Sequence, residues 1–353
     1  MHNVAQILGD FMVSTDNNAV TFFVDRHLIE GRGSKRAFLE AQSGRSLSYG
    51  EMASGAALVA GALTHAGIRP EERAAMLVLD QIEFPQIFWG AIKAGVVPVP
   101  LNTLLATPVY DAILRDSRAA ILFVSEAFWP VVAPAVAGNP YLRQVVVIGD
   151  APEGTQGFDD FMRDAPAQDT MAVSADEVAF WLYSSGSTGQ PKGVAHVHSA
   201  LKATADTYGA KVLRIAEDDV VLSAAKFFFA YGLGNAMTFP LSVGASTVLF
   251  TGRPTPPDMI GTIAEHQPTI FCGVPTLYAA MVAQMDQTGA PDAPLHTCIS
   301  AGEALPEDVG KRWEVHTGVG ILDGVGSTEM LHIFLSNGPG DIAYGTSGVA
   351  VPG

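Results

Sequence analysis

The sequence predicts an α/β fold with mostly parallel sheets flanked by helices, and three observations carry that expectation. Short apolar runs of β-type residues alternate with helical patterns along most of the chain. The runs are continuously apolar rather than alternating, as expected of strands covered on both faces. The chain has 353 residues, of which 48% are apolar, enough for a large core and, by length, about two domains.

The first clear strand is AAMLVL (74–79), followed by a helical stretch around Glu83–Ala94 and then VVPV (96–99). A helix starting near Thr107 leads to ILFV (121–124), and QVVVI (144–148) follows another helical stretch. Residues 119–138, AAILFVSEAFWPVVAPAVAG, are the best candidate for a membrane span. Glu126, Pro130 and Pro134 interrupt them, so a strand followed by a short helix is the better reading. Residues 149–174 are polar and rich in Pro, Gly and Asp, and read as a surface connection. Beyond them come EVAFWLY (177–183), DVVLS (219–223), STVLF (246–250), TIFC (269–272) and HTCIS (296–300), most of them separated by helix-like segments. No repeat, low-complexity tract or flexible linker is evident.

The charge pattern narrows the function classes. A net charge of −16 argues against a nucleic-acid surface. It also means that a site for an anionic ligand must be built locally. The first Lys or Arg is Arg26, and no secretory signal is expected. Cys272 and Cys298 lie far apart in apolar strand-like contexts, and read as buried thiols of a reducing cytoplasm. His196 and His198 alternate on what would be one face of a strand. Without further ligands nearby they read as structural rather than as a metal pair.

The stretch YSSGSTGQPKG (183–193) carries the strongest chemical signal. A Walker loop needs Lys followed by Ser or Thr, whereas Lys192 stands between Pro191 and Gly193. A nucleophile elbow fails because Gly186 and Gly189 are three apart, and no Rossmann glycine pattern is present. What remains is a loop between two β-type runs. In it Gly186, Gly189 and Gly193 permit tight bends and leave backbone N–H groups to point inward. Ser184, Ser185, Ser187 and Thr188 supply hydroxyls and Lys192 a cation, a set suited to a polyphosphate. On composition alone, a solvated Gly/Ser loop accounts for the stretch equally well.

The full string resembles the phosphate loop of the adenylate-forming acyl-CoA ligase superfamily, and four further stretches match that superfamily in order. KFFFAYGLGN (226–235) resembles the aromatic segment that walls the acyl pocket, although three consecutive phenylalanines read alone are core. ISAGEALP (299–306) resembles the turn carrying the adenine-binding backbone, DGVGSTEM (323–330) the motif ending in the glutamate of Mg²⁺-ATP, and GTSGVAVPG (345–353) a later glycine-rich turn. FFVDRHLIEGRGSKRAF (22–38) and STEMLHIFLSN (327–337), with KFFFAYGLGN, resemble the benzoate-CoA ligase group.

The resemblance implies an acyl-adenylate-forming N-terminal domain over residues 1–353, made of interleaved α/β subdomains. It also implies a small C-terminal domain, bearing the adenylation lysine, that this chain does not contain. A truncated or proteolysed large domain with weak adenylation is the expectation. ATP and phosphate would be held by Ser184, Ser185, Gly186, Ser187, Thr188, Gly189 and Lys192, the lysine being a pyrophosphate-side charge in a mobile loop. Thr328 would meet the α-phosphate and Glu329 would hold Mg²⁺. Adenine would lie on Gly302, Glu303, Ala304, Asp323, Gly324 and Val325. Val325 stands where many superfamily members have an aromatic residue, so this contact would be aliphatic. Phe229, Ala230, Tyr231, Gly232, Gly326, His332 and Ile333 would line a flat slot for an aryl ring, with His332 as a wall rather than a proton carrier.

The implied reaction joins an aryl carboxylate to ATP, giving aryl-AMP and pyrophosphate, and then to CoA, releasing AMP. The partners are these small molecules, with no nucleic acid and no membrane, and a homodimer stays open. Loading of a carrier-protein thiol, or a non-catalytic acid- or nucleotide-binding module, are the alternatives.

Overall fold

Each apolar run named above forms a strand in the computed structural model, which describes residues 13–185 and 190–353, with Ser185 described in its backbone alone. The chain divides into two units, each made from two stretches of sequence. One comprises the residues up to Ser34 together with Tyr49–Leu201, and the other Lys35–Ser48 with Lys202–Gly353. Among the described residues no helix is long and apolar enough to cross a membrane.

The first unit holds a five-stranded, wholly parallel sheet. Its order is Val97–Pro100, Arg73–Leu77, Ile121–Ser125, Gln144–Ile148 and Gln156–Gly157. Ile121–Ser125 is buried along its whole length, which is why it reads as an unbroken apolar run. Pro98 and Pro100, which cannot donate to a ladder, sit on the edge strand where they are tolerated. The stretch 119–138 is indeed a strand followed by the short helix Trp129–Val136.

Residues 149–174 differ from the surface connection expected. They supply the strand Gln156–Gly157 and the helix Phe158–Met162, and Phe158 and Phe161 bury their rings against Phe123. The Pro166 carbonyl presses so close to helix Tyr49–His65 that a Cβ on Gly61 would lie 1.7 Å from it. Polar composition concealed these contacts because two aromatic side chains and one glycine make them. Beside this segment a buried ion pair ties three parts of the unit together. Lys93 Nζ donates to both Asp25 carboxylate oxygens at 2.9 Å and to Thr170 Oγ1 at 2.6 Å, and Thr170 donates in turn to Asp25.

The second unit is organised on a nine-stranded sheet. Its order is Val349–Ala350, Ile333–Ser336, Ile321–Gly326, Thr297–Ala301, Ile270–Gly273, Val220–Ser223, Ser246–Leu249, Arg36–Glu40 and Ser46–Ser48. The six central strands are parallel, and antiparallel pairs close both edges. Helices Pro256–His266 and Pro275–Thr288 begin with proline at the first turn, where its missing N–H costs nothing. The core beneath the helices centres on Phe271, Tyr278 and Trp313, whose rings lie 4.7–5.9 Å apart. Cys272 and Cys298 are fully buried free thiols on adjacent strands, and burial pushes both pKa values up, that of Cys298 to about 12.

Candidate functional site

The glycine-rich stretch begins and ends in strands. Val178–Ser185 and Pro191–Val197 pair antiparallel, with Tyr183 opposite Gly193, Ser184 opposite Lys192, and Ser185 opposite Pro191. Lys192 therefore stands on a strand rather than in the mobile loop expected. Ladder hydrogen bonds carry through Gly193 in spite of its weak strand preference. Lys192 is exposed and has no ion pair among the described residues, and Ser184 is half-buried. Gly186, Ser187, Thr188, Gly189 and the Ser185 side chain lie outside the described residues. His196, on the second strand, stacks on Phe180 at 4.9 Å. His198 instead opens the helix His198–Thr204, where its Nδ1 accepts the Ala19 N–H at 3.2 Å. Burial lowers its pKa to about 4. Both histidines are buried, though only one is on the strand.

In the second unit the remaining candidates gather at the carboxyl ends of the parallel strands, the usual ligand edge of an open α/β sheet. Gly302, Glu303 and Ala304 follow strand Thr297–Ala301 directly and are exposed, with Gly302 at φ +96°. On the next strand Asp323 is buried opposite Ser300, Gly324 is buried, and Val325 and Gly326 turn outward. Burial raises the Asp323 pKa. The Leu305 N–H approaches its Oδ2 at 3.5 Å, and the neighbouring Ser300 hydroxyl and Gly324 backbone oppose the rise. Asn337 fixes this strand end, donating from both its backbone N and Nδ2 to the Asp323 carbonyl at 3.0 and 3.1 Å.

A tight turn joins this strand to Ile333–Ser336. The Leu331 N–H donates to the Thr328 carbonyl and the Met330 N–H to Ser327 Oγ, each at 3.1 Å, with Leu331 at φ +64°. The turn leaves Thr328 half-buried and the Glu329 carboxylate exposed, with no hydrogen bond or ion pair among the described residues. No cluster of three or more His, Cys, Asp or Glu side chains able to hold a metal occurs among the described residues. A lone exposed carboxylate such as Glu329 has the chemistry for Mg²⁺ only where phosphate oxygens and water supply the other ligands.

His332 anchors the aryl-slot candidates. It is 3% exposed, and its ring centre lies 4.8 Å from Tyr208, 4.6 Å from Phe239 and 5.9 Å from Tyr231. Burial lowers its pKa to about 3, outweighing an opposing interaction with the Tyr231 backbone, so the imidazole is neutral. The Tyr231 hydroxyl shares its proton between the carbonyls of Gly273 (3.1 Å) and Ile299 (3.0 Å), leaving the ring face for packing. Ala230, Gly232 and Ile333 are buried around it. Phe229, like Gly326, differs from the buried walls. It is 47% exposed and its ring meets Phe228, whereas Phe227 and Phe228 are core residues.

Four residues of this cluster escape the sequence reading. Gly234 permits the His332 ring to lie against its backbone, and Asn235, 1% exposed, has no partner for either side-chain amide atom. Both stand in KFFFAYGLGN, so the motif could have directed attention to them. Tyr208 and Phe239 come from the helical stretches Ala205–Leu213 and Phe239–Val243, and only packing brings them to His332.

The description of AMP-binding enzymes matches residues 26–353. The chain is 48% identical over 344 residues to a 4-hydroxybenzoate–CoA/benzoate–CoA ligase of Rhodopseudomonas palustris, an alignment covering 96% of this chain and 62% of that protein. It is 49% identical over 343 residues to a benzoate–CoA ligase of Thauera aromatica, covering 95% and 63%. Among solved structures, a benzoate CoA ligase from Burkholderia xenovorans LB400 superposes with a TM-score of 0.88 at 43% identity, over 97% of this chain and 66% of that one. The anthranilate CoA ligase AuaEII in complex with anthranoyl-AMP superposes with a TM-score of 0.91 at 39% identity, over 95% and 65%. The chain thus spans somewhat less than two thirds of the length of the curated relatives it matches.

Proposed function

The chain belongs to the family of AMP-binding enzymes, and from that membership we propose that it serves the ATP-dependent activation of an aromatic carboxylic acid, benzoate or a substituted benzoate, to aryl-AMP and then aryl-CoA. The observation that carries the choice of an aryl acid is the packing around His332. A neutral imidazole held between aromatic rings, with glycine backbone on one side, makes a flat apolar wall rather than a polar or long aliphatic channel. Relatives named as benzoate–CoA ligases support the same reading.

In the first half-reaction the carboxylate attacks the α-phosphate and pyrophosphate leaves. Two anions must approach in a chain of net charge −16, so positive groups have to be placed locally. Lys192 supplies one charge. The hydroxyls of Ser184, Ser185, Ser187 and Thr188, with the amides of Gly186 and Gly189, supply hydrogen-bond donors. Thr328 donates to the α-phosphate. Glu329 would hold Mg²⁺, which when bound offsets phosphate charge. Gly302, Glu303, Ala304, Gly324 and Val325 provide the adenine surface, and the Asp323 carboxylate offers an acceptor to the exocyclic amino group. In the second half-reaction a thiol, that of CoA, attacks the activated carbonyl and AMP departs. No protein nucleophile is needed, in keeping with the buried, high-pKa state of Cys272 and Cys298.

Thermal shifts with benzoate, its hydroxy-, amino-, methyl- and halo-derivatives and short aliphatic acids, each with Mg-ATP, test the reading. Stabilisation by benzoates is the expected result, and stabilisation by aliphatic acids alone overturns the aryl slot. Comparing CoA with a phosphopantetheinylated carrier protein as acceptor then identifies the thiol.

A further inference from the structure

We propose that Asp116 is a positioning residue for nucleotide binding, clamping through Tyr183 the stem of the hairpin that carries the phosphate motif; this rests on reading residues 183–193 as a phosphate-binding element. The Tyr183 hydroxyl donates to Asp116 Oδ2 at 2.5 Å. Asp116 lies in the last turn of helix Thr107–Ser117, where an acidic charge opposes the helix dipole. It is exposed, so the bond satisfies no buried group on the helix side. Its location disfavours it for helix stability, and its effect falls on the hairpin.

Three contacts make the clamp directional. Trp181 and Tyr183, two apart on one strand face, both pack on the core of the five-stranded sheet. The Arg73 guanidinium lies 5.8 Å from the Trp181 ring centre while its Nε donates to the Ser117 carbonyl at 2.5 Å. The hairpin stem is therefore tied at two points to the end of one helix. Across the ladder, the Tyr183 ring lies over Gly193. A Cβ on Gly193 would sit 3.2 Å from Trp181 Cε3 and 3.3 Å from Tyr183 Cζ, tighter than ordinary contact. Only two pairs, Ser184–Lys192 and Ser185–Pro191, separate this rung from the glycine and hydroxyl residues at the centre of the motif. Fixing Tyr183 thereby fixes the direction in which Ser184 and Lys192 are presented. Burial and the nearby Asp116 raise the Tyr183 pKa, so the phenol remains a donor at physiological pH.

The clamp and simple electrostatics predict opposite signs. Asp116 is an anion close to the hairpin stem, so removing its charge should tighten a polyphosphate if charge alone matters. If the clamp matters, losing it should loosen binding. The test measures Mg-ATP affinity of the whole chain by calorimetry, with tryptophan fluorescence as a second readout, and records Tm for every variant. Asp116→Ala and Tyr183→Phe should each weaken Mg-ATP by roughly threefold to tenfold, the scale of one hydrogen bond. Their double variant should be no weaker than either single. Asp116→Asn, whose amide oxygen still accepts from Tyr183, should restore most of the affinity, and Gly193→Ala should weaken it by displacing the ring. Benzoate affinity and Tm should stay near wild type, separating positioning from general destabilisation. Tighter or unchanged Mg-ATP binding in Asp116→Ala, or additive losses in the double variant, overturns the clamp. A wild-type chain that fails to bind Mg-ATP overturns the phosphate reading and the clamp with it.

Discussion

Gly234→Ala probes the seat of His332 directly. A Cβ at this position would lie 2.4 Å from His332 Cδ2, 2.8 Å from Nε2 and 3.0 Å from Phe239 Cζ. Non-bonded carbons normally rest about 3.5–4.0 Å apart, so the imidazole must retreat by roughly 1 Å. Tyr208 and Phe239, with ring centres 4.8 and 4.6 Å away, oppose that movement. Overpacking of this kind costs about 1–3 kcal/mol. In a domain of about 150–250 residues each kcal/mol moves Tm by about 2–4 °C, so a fall of roughly 2–12 °C is expected. Benzoate affinity should fall as well, because the displaced ring enters the slot. Scanning fluorimetry with and without benzoate, backed by calorimetric Kd values, measures both effects. Removing the imidazole makes room for the new methyl group, so Gly234→Ala should cost much less in a His332→Ala background, a coupling of about 1 kcal/mol or more. Wild-type Tm and affinity in Gly234→Ala, or strict additivity with His332→Ala, would refute the reasoning.

Acid should destabilise the fold through its buried histidines. The folded pKa values of His332 and His198, about 3 and about 4, lie below the unfolded value. The unfolded chain therefore binds more protons in that window, and stability is complete above about pH 6.5 and lost as pH falls toward the folded values. Urea midpoints measured from pH 7 to 4 should fall less steeply for His332→Phe than for wild type, and an identical slope counts against the burial argument. At the Lys93 cluster, Asp25→Ala leaves a lysine side chain that is 7% exposed without its anion. The expected loss is about 2–3 kcal/mol, below that of a fully buried pair because Asp25 is 28% exposed. Adding Lys93→Met should recover at least half of the loss in urea denaturation, and no recovery would show that the pair is not the cause. Tyr231→Phe removes the phenol donor from the Gly273 carbonyl, whereas the Ile299 carbonyl still accepts from the Tyr278 hydroxyl at 2.9 Å, so the cost is about 1 kcal/mol. Tm should drop while benzoate affinity stays within about twofold, and the reverse pattern would place the hydroxyl on the ligand.

The strands that were legible in the sequence are the central ones. TIFC, HTCIS and ILFV are buried on both faces, so their apolar character is continuous and local. The edge pair Arg36–Glu40 and Ser46–Ser48 was not legible, because three to five residues of mixed polarity carry no period. Lys192 was read as a loop residue for a related reason. Glycine and proline argue against a strand locally, and the pairing that overrides them is decided by the partner strand. Read alone, the triple phenylalanine points to core, but only Phe227 and Phe228 are core and Phe229 is exposed, a difference that depends on which way each successive side chain points.

By itself the sequence determined the α/β architecture, the positions of most strands along the chain, and a set of motifs in which every residue is close to the next along the chain. These follow from hydrophobic pattern and local backbone chemistry, which a contiguous string encodes. Tertiary structure alone decided what surrounds them. Tyr208, Phe239 and Gly234 close on His332, Asn337 locks Asp323, and Asp116 reaches Tyr183 across 67 positions of chain. Such contacts depend on where packed elements bring distant residues, and a neutral buried imidazole or an anchored hairpin stem exists only once those elements have met.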